Sequence, residues 1–390
     1  MTTTTGSGGS SNSNPERAVL EAIARAKKTL GPSEASYGFL FASPKMDLGV
    51  ALSEARRRCK STDFLGCTTA GEITEAGLTH GGLSVMLVAS SHQKHSARWS
   101  HATSPAQAAE DLGRAFFTQR RQDRSGVGTT VVLVDGLSGT GETVVDSLRT
   151  LGGGLLHEIV GGAAGDEGKF AGTFVGVNGE CANGAVAALH VVDRTRWGVG
   201  VDHGLSPVTA PMRVTRAEGS IVHELDGRPA FEVYKDYAKS KGLALTPDNA
   251  PPFFLNNELG VIVFDQLKKA RAPLAANPDG SLLCAAGIPQ GASVCFLGGS
   301  HDALVSAARR AATEAKERLG AGRAAGVLLF DCICRGGILG PDFHLEIQAV
   351  RDVFPDVPIA GFLTYGEIAR YSGHLDGWHN TTAVVVAIPA

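Results

Sequence analysis

One pattern recurs three times along this chain, and it limits the folds open to it. An apolar run ends in Gly-rich turn chemistry, an amphipathic stretch follows, a second apolar run ends in a Gly-acid pair, and a third apolar run closes the unit. In the last copy these parts are residues 327–330, the turn Asp331-Cys332-Ile333-Cys334-Arg335-Gly336-Gly337, residues 343–354, residues 359–362 leading into Thr364-Tyr365-Gly366-Glu367-Ile368, and residues 381–388. The middle copy runs through 131–134, 142–151, 159–166 and 184–192, and the first through 37–43, 48–59, 64–73 and 82–89. Each copy has a helical lead-in, at 15–30, 105–121 and 302–319. Short apolar runs bounded by Gly read as buried strands, and apolar residues at 3.6-residue spacing read as helix faces. The unit is therefore α-β-α-β-loop-β. The chain belongs to the α/β class with α+β character, in mixed sheets flanked by helices. Units this long and this few predict a compact pseudo-symmetric body rather than a solenoid.

The intervals between copies suggest the domains. Residues 1–14 are rich in Thr, Ser and Gly with no apolar stretch, which predicts a disordered tail rather than a signal peptide. Asn14 and Pro15 then form a cap and first-turn pair. Residues 92–103 read as a polar connector. The first two copies predict an N-terminal domain over 15–200. An insertion over 201–300 plus the third copy predicts a C-terminal domain over 201–390. Within the insertion the expected elements are a hairpin at 212–225, a helix at 229–239, strands at 259–264 and 294–297, and loops at 246–252 and 271–280.

Composition excludes several classes. With 390 residues, 19% charged and net charge −3, no basic footprint for nucleic acid is present. The most basic pieces, 56–60 and 120–124, fall at helix ends, where cations complement the dipole. Seven Cys, an odd number without C-x-x-C spacing, argue against a disulfide framework or structural zinc and for a reducing cytoplasm. No apolar run approaches the roughly 18 residues a membrane span needs.

Candidate chemistry sits at strand ends. Glu72, Asp166 and Glu367 occupy matched positions after Gly71, Gly165 and Gly366, where α/β units present ligand sites. Each carboxylate can equally cap a helix or pair with an Arg. Cys332 beside Arg335 can be an activated thiol or a small buried hydrophobe. The fork of Arg335 suits a ligand carboxylate or pairs with Glu367. His374, His379 and Asn380 precede the last strand, where a His can ligate haem or a metal, or simply be solvated or hydrogen-bonded. His157, His203, His223 and His301 are equally ambiguous. The Gly-rich pieces at 139–141, 152–154 and 161–162 match neither G-x-G-x-x-G nor a P-loop.

Taken together, Gly66-Cys67-Thr68-Thr69-Ala70-Gly71-Glu72-Ile73, Gly161-Gly162-Ala163-Ala164-Gly165-Asp166, Phe330-x-Cys332-x-x-Arg335, Gly361-Phe362-x-Thr364-Tyr365-Gly366-Glu367-Ile368 and His379-Asn380-x-Thr382 resemble the motifs of the FIST family. The resemblance covers roughly residues 20–390 and includes FIST N- and C-terminal domains. It implies a sensory role in signal transduction with a small ligand, an amino acid or related metabolite, and, without an output segment in this sequence, a separate signalling protein as partner. Cys334-Arg335 stands where Gly-Arg would be usual. The ligand-binding set implied is Cys67, Thr68, Thr69, Glu72, Asp166, Cys332, Arg335, Tyr365, Glu367, His379 and Asn380. A zwitterion would place its ammonium on a carboxylate and its carboxylate on Arg335. The alternatives are a haem-bound nitric-oxide sensor, for which no motif designates the axial His, and an enzyme using Cys332 as nucleophile.

Overall fold

The computed structural model describes residues 2–390 except 61, 103, 123–124, 152–157, 264–265 and 372–374. His157, His374 and the 152–154 glycines fall outside the described residues. Three six-stranded sheets carry the three copies, and each has the same strand order. In the first, Thr3–Ser10, Leu83–Ser90, Tyr37–Ala42 and Asp63–Thr68 are neighbours in that order. The central pair, Tyr37–Ala42 with Asp63–Thr68, is parallel, and the helix Leu48–Arg58 makes the crossover. The other central pairs, Val127–Val134 with Glu158–Ala163 and Ala324–Cys332 with Ile359–Thr364, are parallel as well. The fold is α/β with mixed sheets.

The sheets interlock in a ring. The first is completed by the hairpin Val175–Val177/Glu180–Ala182 of the second copy. The second takes the hairpin Glu367–Arg370/Gly377–His379 of the third. The third takes Glu72–Thr74/Gly77–Thr79 of the first. The N- and C-terminal halves therefore share sheets. Between the sheets lies one core to which all copies contribute, with Phe41 4.8 Å from Phe362 and 6.2 Å from Phe330 by ring centroid.

The repeat unit is one strand longer than the sequence pattern indicates. Residues 3–10, expected to be disordered, form the strand Thr3–Ser10, antiparallel to Leu83–Ser90. Its glycines are the reason it pairs so closely. A Cβ on Gly6 or Gly8 would collide with the carbonyl of Ala26 or Ala22 on the helix Pro15–Leu30, so small residues on both sides let the helix rest on the strand backbone. Gly198–Asp202 repeats this under His301–Leu319, where Gly198 and Gly200 face the carbonyls of Ala315 and Ala311. The expected polar connector is the corresponding strand of the middle copy, Lys94–Ser100, paired with Val186–Asp193 at a half-exposed edge.

The insertion builds its own sheet and core around Tyr234, Phe254 and Phe296. Two of its expected loops are ordered elements. Residues 246–252 enter a 3-10 turn, Pro247–Asn249, and the helix Ala250–Leu255. Residues 271–280 begin with the last residue of the strand Gln266–Arg271 and continue into Pro273–Ala276. No helix among the described residues is long and apolar enough to cross a membrane.

Candidate functional site

Most of the residues singled out in the sequence lie in the interior. Glu72 and Glu367 are fully buried and are consumed by their own turns. Glu72 accepts from Thr69 Oγ1 at 2.6 Å and from the Gly82 N–H at 3.0 Å. Glu367 accepts from Thr364 Oγ1, from the Thr382 N–H at 3.1 Å and from Thr382 Oγ1 at 2.8 Å. In the middle copy Asp135, not Asp166, plays this part, accepting from Thr173 Oγ1 and the Gly184 N–H. Asp166 instead ties down the loop behind it through the N–H groups of Phe170, Ala171 and Gly172 and the Tyr365 hydroxyl. Burial would raise its pKa, but these donors outweigh burial and hold the carboxyl below its usual range. The three carboxylates expected at matched ligand positions are thus not equivalent: Glu72 and Glu367 close turns, and Asp166 holds a loop.

Cys67 lies in the core, and burial pushes its thiol well up. Thr68 accepts the Phe174 N–H at 3.0 Å, and Thr69 is spent on Glu72. Cys332 is 2% exposed and its thiol is likewise pushed well up by burial. That is the opposite of an activated nucleophile. Arg335 does not face a ligand either. Its guanidinium is buried, bonded to Glu346 through Nε and Nη2 and to the carbonyls of His203 and Leu304, with Asp331 at 3.3 Å.

These groups form a buried ionic cluster. Asp331, Glu346, Glu367 and Glu258 are all at most 1% exposed, with the guanidiniums of Arg335 and Arg271 as the neighbouring cations. Both oxygens of Asp331, Oε2 of Glu346 and Oε2 of Glu258 lack hydrogen-bond partners. Four ionised carboxylates against two cations in such a site would cost far more than folding yields, so the cluster retains protons. Burial raises Glu258 to about 8 and Glu367 to about 7, against the donors Thr381 and Thr364 respectively. Thr381, a β-branched residue at φ 59°, is held by its hydroxyl on Glu258 and its carbonyl on Arg335. Locally strained backbone of this kind persists where the surroundings over-determine it.

A cleft opens beside this cluster, at the junction of the second copy, the third copy and the insertion. Its floor is Tyr365 and Trp378, and its near wall is the turn Asp135, Gly136, Gly139 and Gly141. Trp378 fits because Gly141 and Gly366 have no side chains; a Cβ on either would strike its ring. The Gly139-Thr140-Gly141 piece therefore makes room for an indole rather than cradling a phosphate. The cleft continues into a cavity of about 490 Å³ against the insertion, where Glu142, Lys269 and Arg271 meet. Glu142 Oε1 accepts from Lys269 Nζ at 2.7 Å and from Arg271 Nη2 at 2.9 Å. Arg271 is 1% exposed; its Nε donates to the Gly287 carbonyl at 3.2 Å and Nη1 to that of Ala270 at 3.0 Å.

Of the expected set, Tyr365 reaches this cleft. His379 does not: it follows Trp378 in a strand, so the two side chains take opposite faces. It is fully buried, and burial together with Lys269 and Arg271 holds its imidazole neutral. The residues lining the cleft include no His, and the hydroxyl of Tyr365 is spent on Asp166. Asn380 is buried with Oδ1 unpartnered. Among the described residues no group of three or more His, Cys, Asp or Glu side chains is placed to hold a metal ion. Glu142, Lys269, Arg271 and Trp378 escaped the sequence reading. Lys269 and Arg271 lie in an ordinary-looking Q-L-K-K-A-R stretch, 127 and 129 residues from their partner. Nothing local marks them.

The family model of the FIST N domain matches residues 36–228 and that of the FIST C domain matches residues 230–370. An uncharacterised protein of Mycobacterium bovis is 29% identical over 196 residues, 47% of this chain and 48% of that protein. Uncharacterised proteins of Mycobacterium tuberculosis match to the same extent. One from Methanocaldococcus jannaschii is 37% identical over 87 residues, 22% of this chain and 17% of that protein. The chain thus spans about half the length of the mycobacterial relatives it matches. A crystal structure of a chorismatase aligns over 92% of this chain and 94% of its own, at 8% identity and a TM-score of 0.37.

Proposed function

Because the chain belongs to the FIST family, whose domains are sensory modules of signal transduction, we propose that it senses a small zwitterionic metabolite, an amino acid or close relative, in the cleft at Glu142. The observation that carries this reading is the shared carboxylate oxygen. Lys269 and Arg271 converge on Glu142 Oε1, so two cations offset one anion at the mouth of a cavity. One positive charge is left over. A ligand carboxylate would balance it, accepting from Lys269 and Arg271 in charge-assisted bonds. Its ammonium would take Glu142 Oε2, the oxygen the two cations leave unused. Binding would fasten the insertion to the second copy across this contact, and the change in their docking is what a separate signalling protein would read.

The test is ligand-induced stabilisation. A screen of the twenty L-amino acids by scanning fluorimetry should return at least one that raises Tm. At a concentration about 100-fold over its Kd the gain is about 2.7 kcal/mol, near 3 °C for a chain of this size. Glu142→Gln and Lys269→Ala, both partly exposed positions, should keep the ligand-free Tm within about 2 °C and lose the shift. A shift that persists in both variants places the ligand elsewhere.

A further inference from the structure

The cavity has two ends of different chemistry, and the second is not accounted for by a zwitterion's charged groups. Register pairs Val261 with Lys269 in the hairpin formed by Glu258–Val263 and Gln266–Arg271. Alternate residues of a strand share a face, so Val261 and Val263 stand on the face that carries Lys269 and Arg271. Ile288 and Pro289 line the same cavity. The result is an apolar trough that begins where the ion pair ends. Val263 is 41% exposed, a large aliphatic side chain left in solvent at the rim of a pocket with charged groups at its base. Polar groups at one end of an otherwise apolar pocket orient a ligand, and the apolar walls select its body.

We propose that the ligand of this cleft is an α-amino acid with an aliphatic side chain of three or more carbons, the leucine, isoleucine, valine and methionine class. This rests on the reading of the cleft given above. The α-carboxylate lies on Lys269 and Arg271, the α-ammonium on Glu142, and the side chain in the trough between Val261, Val263, Ile288 and Pro289. An acidic side chain in the trough would lose its hydration without a partner, and a basic one would bury its charge against aliphatic walls. Alanine would leave the trough unfilled.

Titration calorimetry with L-leucine, L-isoleucine, L-valine, L-methionine, L-alanine, L-glutamate and L-lysine tests this. The first four should bind about tenfold or more tighter than L-alanine, from the methylenes buried, and L-glutamate and L-lysine should be no better than L-alanine. Val263→Asp, at an exposed position, should bring L-leucine and L-alanine to within about threefold of each other. Tighter binding of L-glutamate, L-lysine or L-alanine overturns the aliphatic class while leaving the cleft as the site. An unchanged leucine-to-alanine ratio in Val263→Asp overturns the trough as the selector. If none of the seven binds, the aliphatic class falls, while the reading it rests on falls only if the screen of all twenty L-amino acids also returns no shift.

Discussion

Glu258 offers the sharpest test of how the interior is charged. Its carboxyl is 1% exposed, one oxygen takes the Thr381 hydroxyl and the other has no partner. Burial raises it from 4.5 to about 8. In the unfolded chain it ionises near pH 4.5, whereas in the fold it keeps its proton until about pH 8. The unfolded state therefore binds fewer protons across that window, and stability falls as pH rises through it, levelling off above the folded value. At about 1.36 kcal/mol per pH unit, the loss attributable to this one group is roughly 5 kcal/mol between pH 4.5 and 8. With an unfolding entropy of about 0.8 kcal/mol/K for a chain of this length, that is about 6 °C in Tm. Glu258→Gln imitates the protonated side chain and keeps an acceptor for Thr381. Scanning fluorimetry from pH 5 to pH 9 should show the wild type and Glu258→Gln with similar Tm at pH 5. By pH 8.5 the wild type should have fallen about 5 °C below the variant, the part of the loss that lies above pH 5. Two curves that stay parallel within about 1 °C would refute the idea that a proton is stored at Glu258.

Two further outcomes probe the fold and the rejected nucleophile. Gly200→Val drives a branched side chain into the Ala311 carbonyl of the helix above it, and overpacking of this kind should cost about 3 kcal/mol or more, seen as a Tm drop of several degrees or loss of soluble protein. Iodoacetamide at neutral pH should modify the half-buried Cys181 and Cys334 before Cys332, because burial holds the Cys332 thiol protonated; mass spectrometry of the digest reads the order, and early labelling of Cys332 would restore it as a nucleophile.

Much of this architecture is legible in the sequence because hydrophobic periodicity is a local signal. The runs at 37–43, 131–134 and 327–330 become the central strands, and the helices at 15–30, 105–121 and 302–319 appear within a residue or two of their expected ends. The strand that opens each copy is not legible. Thr3–Ser10 is built of Thr, Ser and Gly, and its glycines are a packing device that has the composition of disorder. Composition reports what a segment can bury, and a Gly-rich strand buries backbone against a neighbouring helix. The turn carboxylates Glu72 and Glu367 stand out as a matched pair, yet the match reflects a shared way of closing the turn. Duplication preserves a backbone solution as readily as a binding site.

What the sequence by itself determined is the threefold unit, its α/β class and its family, since these follow from periodicity and from motifs read within a few dozen residues. What only the tertiary structure decided is where charge meets space. The exchange of hairpins around the ring sets copies far apart in sequence side by side, and Glu142 meets Lys269 across 127 residues and Arg271 across 129. Packing within the third copy and against the start of the insertion buries Arg335 on Glu346 and on the carbonyls of His203 and Leu304, so that the cation best suited by sequence to a ligand is spent inside the protein. A side chain's type is local information. Whether its charge is already neutralised by a neighbour depends on long-range packing, and that packing moved the candidate site from Arg335 to Arg271.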